Sequence, residues 1–171
     1  MFDNPQDFLN QTYDEPNSTK LILPPEDEYN ATIHSLNDPN IFTYKRGPNI
    51  GKPGMMLNVN WLIDDRDGKV EAVTNRASNV VRLGVSLDCK WDAAGNFAGL
   101  DMRPGVNLQL GRLREAVNLN GPGFSFGKFI GKAATIQVKH KADEREGHEG
   151  EFQAEVSGVT SLGSTFKKEK K

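Results

Sequence analysis

The stretch MMLNVNWLID, residues 55–64, sets the strongest limit on how this chain can fold. Met55, Leu57, Val59, Trp61 and Ile63 fall on one side, with Asn58 and Asn60 between them. Successive side chains of a strand point to opposite faces, so this pattern makes a half-buried β-strand and excludes an amphipathic helix. A strand of this kind needs partners of the same period, and the chain supplies several. In EYNATIHSL (28–36), Tyr29, Ala31 and Ile33 alternate with Asn30, Thr32 and His34. NVVRLGVSLDCKW (79–91) is a further extended run around Gly84, followed by a turn at DAAGN. AATIQVKHK (133–141) leads through the charged turn ADEREGHEGE into FQAEVSGV, with Phe152, Ala154 and Val156 on one face. The segment VEAVT (70–74) also reads as a strand, entered through a DDRDGK turn with Asp67-Gly68 as the hairpin signal.

One helical stripe interrupts this series. Val106, Leu110, Leu113 and Val117 recur at spacings of 4, 3 and 4, Pro104 suits the first turn, and NGPG (120–123) stops the helix. A helix between the third and fourth units of a five-stranded antiparallel sheet is the order of an OB-fold, a partly open Greek-key barrel. That fold binds oligonucleotides across strands 2–3 and the loops joining strands 1–2 and 4–5. The expected organisation is an acidic arm (1–24), an OB-fold domain (25–160) and a short flexible tail (161–171).

Composition narrows the class. The longest apolar runs are far short of the roughly 20 residues that cross a bilayer, so no membrane partner is expected. The opening MFDNPQDFLNQTYDEP is acidic and polar, unlike a signal or transit peptide. The lone Cys89 rules out an internal disulfide and fits a reducing compartment, so a cytoplasmic setting is expected. The net charge of −2 is unevenly spread: −6 over residues 1–30, +6 over 31–142 and −2 over 143–171. A basic middle between acidic ends suits a polyanion partner.

The sequence offers little for catalysis, and no enzyme activity or cofactor is expected. Gly51-Lys52 and Gly127-Lys128 miss the phosphate-loop spacing, and Pro53 and Phe129 stand where a hydroxyl is required. His34, His140 and His148 have no metal-ligand spacing with Cys89 or with one another. Asp64, Asp65 and Asp67 open no calcium-loop pattern. No serine has a nucleophile-elbow context.

Binding chemistry remains. IFTYKRGPNIGKPG (41–54) holds two aromatics, three cations, three glycines and two prolines, and is expected as the loop joining strands 1 and 2. Binding a single strand without sequence preference needs cations along the phosphates and flat side chains under the bases. Phe42 and Tyr44 either stack on bases or cover the barrel, while Lys45, Arg46 and Lys52 neutralise phosphates. Arg66, Arg76 and Arg82 lie around the second and third strands, the expected binding face. Trp91, beside Lys90 at a strand end, is a stacking candidate, and Lys139 and Lys141 lead into the last hairpin. Trp61 reads as core, and Phe124, Phe126 and Phe129 either cap the barrel or stack.

LPPEDEYNATI, then GRLREAV, then FIGKAATIQVKHKAD, then GEFQAEVSGV together resemble the small single-stranded DNA-binding proteins of tailed bacteriophages. The likeness spans roughly residues 22–160, with Ile130-Gly131-Lys132 as its step into the fourth strand. It implies a sequence-nonspecific binder that protects single-stranded DNA in replication or recombination. Many bacterial-type single-strand binders end in an acidic, aromatic-tipped tail that recruits partners, whereas this chain ends in Phe166 and KKEKK, so recruitment of replication or recombination proteins is expected at the acidic N-terminal arm instead. The alternative is a virion or assembly β-barrel acting as a protein–protein module. A third reading is an accessory subunit of a recombinase or nuclease that docks through the arm.

Overall fold

The computed structural model describes residues 4–166; residues 1–3 of the expected arm and 167–171 of the expected tail lie outside them. It is mainly β. In chain order the elements are α1 (Pro5–Leu9), β1 (Glu28–Leu36), β2 (Asn40–Thr43), β3 (Pro53–Ile63), α2 (Lys69–Thr74), β4 (Val80–Leu87), β5 (Cys89–Trp91), β6 (Phe97–Leu100), α3 (Leu108–Ala116), a 3-10 turn (Phe126–Phe129), β7 (Ala133–Ala142) and β8 (Phe152–Thr160). Six strands share one sheet in the order β1-β7-β8-β4-β3-β2, with β1 also paired to β3; β5 and β6 form a separate hairpin. The pairings are antiparallel except β4–β8, which meet in parallel at Arg82 and Glu155.

The alternating residues behave as their period requires. Leu57, Val59, Trp61 and Ile63 of β3 are buried, as are Val81, Leu83, Val85 and Leu87 of β4 and Ala134, Ile136 and Val138 of β7. They join Ala31, Ile33, Val156, Phe129 and the α3 stripe of Leu110, Leu113 and Val117 in one core. Trp61 is 0% exposed. Phe124 and Phe126 pack edge-on against each other and beside Phe129, so this aromatic segment covers the core.

Several expectations need correction. VEAVT is not a strand but helix α2: the Asp65 carboxylate accepts the Val70 and Glu71 N–H groups at 2.9 and 2.8 Å and so caps its first turn. Val70 and Thr74, four apart, are then the residues it buries. Asp67-Gly68 therefore leads into a helix and not a hairpin. The β1–β3 connection is not a plain loop, because its first half forms β2 and pairs with the start of β3. Pro53 opens β3, a position where its missing N–H is tolerated. Helix α3 begins four residues after Pro104, and β6, unforeseen, answers β5 across the DAAGN turn. Phe152 is exposed, because the start of β8 pairs with the exposed end of β7 at Ala142, beyond the edge of the core. No helix among the described residues is long and apolar enough to cross a membrane.

Candidate nucleic-acid interface

The turn between β2 and β3 is short-wired by its own backbone. The Gly51 N–H donates to the Tyr44 carbonyl at 2.8 Å, and the Tyr44 N–H to the Lys52 carbonyl at 3.0 Å. Gly47 and Gly51 both sit at φ +80°, a conformation that glycine adopts without a Cβ penalty. This fold holds Lys45, Arg46 and Lys52 exposed at one tip, and among the described residues none has an ion-pair partner.

The same hairpin settles where its two rings lie. Phe42 and Tyr44 meet edge-on at 4.7 Å. Both rest on Gly54, where an added Cβ would come within 2.7 Å of the Tyr44 ring and 2.8 Å of the Phe42 ring. Gly54 shares its face of β3 with Met56, Asn58, Asn60 and Leu62, while the odd-numbered residues from 57 to 63 turn into the core. The rings therefore lie on the outer side of the sheet. The register carries that outer face onto β4, pairing Met56 with Ser86, Asn58 with Gly84 and Asn60 with Arg82.

Next to the rings lies a pocket of about 290 Å³ lined by Tyr44, Asn49, Lys52, Asp88, Trp91 and Arg103, among others. Tyr44 Oη donates to Asp88 Oδ1 at 2.6 Å. Burial, then this bond to a carboxylate, raise the tyrosine pKa above its ordinary 10, so the hydroxyl stays a donor. Asn49 Nδ2 donates to the same oxygen at 3.4 Å. Asn107 fixes the backbone of Asp88 by accepting its N–H at 2.7 Å and donating to its carbonyl at 2.9 Å. At the rim Arg103 grips Asp101 with its Nη2 at 2.6 Å, and that side-chain hydrogen bond holds the Asp101 carboxyl down to about 2. Trp91 stands against Phe97 at 6.1 Å. Burial pushes the neighbouring Cys89 thiol up, which keeps it neutral.

The other end of the outer face opens into a cleft of about 770 Å³ that includes Arg82, Lys141, Arg145 and Phe152. Its charge is mixed. Lys141 Nζ reaches Glu155 at 4.0 Å, and Arg145 clamps Asp143, whose side chain is 3% exposed. The Arg145 hydrogen bonds hold Asp143 well below the usual carboxylate range. Asp143, His148 and Glu151 bring potential ligand atoms within 4.8 Å of one another, but both Asp143 oxygens already accept from Arg145. They work as the clamp that closes the β7–β8 turn.

The structure thus groups Phe42, Tyr44, Lys45, Arg46, Lys52 and Trp91 at one end of the outer face, with Arg82 and Lys141 at the other. Arg66 and Lys139 lie apart from both groups, and Arg76 borders the same cleft as Arg82 and Lys141 but has its guanidinium engaged elsewhere. Arg66, its side chain 91% exposed, pairs with Asp64 at 3.1 Å on the β3–α2 turn. Arg76 is spent on structure, donating to the Ile22 carbonyl at 2.9 Å and to Asn79. Lys139 borders a different cleft beside Glu26, Asp27 and Glu28. Asp88, Asn49 and Asn107 escaped the sequence reading because no local motif marks them; only the approach of the hairpin to the end of β4 gives them a role. The chain matches no protein-family model, no curated protein and no solved structure.

Proposed function

We propose that this is a non-enzymatic, sequence-nonspecific single-stranded DNA-binding protein built on an OB-fold, acting in phage DNA replication or recombination. The observation that carries this reading is the ring pair Phe42–Tyr44, seated on the outer face of β3 beside three exposed cations that have no ion-pair partner among the described residues, and continuous with Arg82. Flat side chains under bases and cations along phosphates are the two requirements of single-strand binding. The strand pairing supports the fold assignment. Reading β1, β3, β4, β7 and β8 as the five strands gives antiparallel neighbours, one parallel contact between the third and fifth, and a helix between the third and fourth. In that frame the β2–β3 hairpin is the loop between strands 1 and 2, and the 143–151 turn is the loop between strands 4 and 5. Both flank the β3–β4 face. From Gly54 to Asn60 that face spans six rises of ~3.3 Å, about 20 Å, enough for several nucleotides.

The test is a tryptophan-fluorescence titration with oligo-dT, duplex DNA and RNA at two salt concentrations. Single strands should bind most tightly, with affinity falling as salt rises because neutralised phosphates release counterions. No response to any strand at low salt overturns the proposal. One observation favours the assembly-module reading instead: an apolar pocket of about 220 Å³ lined by Leu36, Met55, Leu57, Leu87, Phe97 and Phe126, among others. That reading predicts a stable oligomer indifferent to nucleic acid.

A further inference from the structure

The pocket beside the ring pair is more than a stacking ledge. Its floor presents a carboxylate with one oxygen spoken for and one free. Asp88 Oδ1 accepts from Tyr44 and Asn49, while among the described residues no donor reaches Oδ2. Tyr44 Oη orients the carboxylate through Oδ1 and Asn107 fixes the backbone that carries it, which leaves Oδ2 to solvent or to a ligand. The Asn49 amide makes only a 3.4 Å contact with Oδ1, which leaves its Nδ2 hydrogens available at little cost. The rings of Tyr44 and Trp91 also line it, and so does Lys52, which has no ion-pair partner among the described residues.

We propose that this pocket takes one nucleobase of the bound strand and favours cytosine or adenine over thymine. The inference rests on the strand-binding reading above. Cytosine and adenine carry an exocyclic amine, which can donate to Asp88 Oδ2, next to a ring nitrogen, which can accept from Asn49 Nδ2. Thymine places a carbonyl oxygen where cytosine has its amine, and that oxygen would face the carboxylate with no proton between them. Lys52 would meet the phosphate of the same nucleotide. A protein indifferent to sequence along most of its face would then have one position with a base preference.

The experiment compares oligo-dC, oligo-dA and oligo-dT of equal length, at one salt concentration, on the full chain and on Asp88→Asn. Trp61 is fully buried, so quenching reports on Trp91. The expected result is binding of oligo-dC or oligo-dA about tenfold or more tighter than oligo-dT, the scale of one good base-edge contact. Asp88→Asn keeps an acceptor for Tyr44 but turns the base-facing oxygen into an amide that donates, so the preference for oligo-dC or oligo-dA should collapse or reverse toward oligo-dT. Equal affinity of the unaltered chain for all three strands overturns the base pocket and leaves strand binding intact. No binding to any of them overturns the strand-binding reading and this inference with it. The wild-type comparison does not depend on the variant folding, and a urea midpoint for Asp88→Asn shows whether its loss of preference is local.

Discussion

Gly54→Ala tests the placement of the aromatic pair directly. The new Cβ would stand 2.7 Å from Tyr44 Cε2 and 2.8 and 2.9 Å from Phe42 Cζ and Cε1. Carbon atoms pack best at ~3.5–4.0 Å, so both rings must retreat by about 1 Å. Overpacking of this kind costs about 1–3 kcal/mol. If the rings swing clear instead, the edge-on contact goes, at about 0.5–1.5 kcal/mol, along with the Tyr44–Asp88 hydrogen bond, at about 1.5 kcal/mol or more. Replacing glycine in a strand returns about 0.4–1 kcal/mol through the unfolded chain. A net loss of about 0.5–2.5 kcal/mol follows, with Tm falling by roughly 2–4 °C per kcal/mol for a chain of this size.

Gly84→Ala is the matched control on the same outer face. Its Cβ would meet Met56 Sδ at 3.5 Å and Asn58 Oδ1 at 3.6 Å, which is ordinary contact. Its stability should stay within about 0.5 kcal/mol of the parent. Urea unfolding followed by far-ultraviolet circular dichroism reads both variants without relying on tryptophans near the site. Equal midpoints for the two variants, or a larger loss at Gly84, would refute the seating of Phe42 and Tyr44 on β3.

Two other outcomes follow from the charges. Asp101 and Asp143 are both held below the ordinary carboxyl value of 3.8 by arginine hydrogen bonds, Asp101 at about 2. Lowered folded-state values mean stability that is complete above pH 4 and lost as pH falls through them. Urea midpoints should therefore drop between pH 4 and pH 2, and the drop should shrink in an Arg103→Met, Arg145→Met double variant; an unchanged drop refutes the assignment. For strand binding, Arg82→Ala should flatten the slope of log affinity against log salt by about 0.7, the contribution of one phosphate contact on a single strand. Arg66→Ala, whose guanidinium sits on Asp64 away from the outer face, should leave the slope unchanged, and the reverse ranking would rule out the β3–β4 face as the path of the strand.

Much of the scaffold was legible in consecutive residues. Alternation in 28–36 and 55–63 marked two strands and the face each would bury, AATIQVKHK marked a third, and Leu110, Leu113 and Val117 marked the helix, although Val106, counted into the same stripe, precedes its start at Leu108. The failure at VEAVT has a clear cause. Val70, Ala72 and Thr74 fit a period of two, while Val70 and Thr74 also fit one helical turn, and the choice fell to a carboxylate at Asp65 outside the segment. Phe152 misled for a related reason: its period matched a buried face, but its strand begins beyond the edge of the core.

The site divides along the same line. Composition alone placed rings and cations together in IFTYKRGPNIGKPG, because they are neighbours in the chain. Whether the rings faced outward depended on β2 pairing with β3 at Gly54, a contact whose geometry no local pattern states. Asp88 meets Tyr44 from 44 positions away, and Arg76 reaches Ile22 across 54. Local periodicity is written by steric rules acting within a few residues, so the sequence by itself determined the long strands, the main helix and most of the faces they bury, but not α2, β2 or β6. Long-range partners exist only once strands have paired, so the tertiary structure alone decided which cations stayed free, which were spent on the fold, and what lines the pocket.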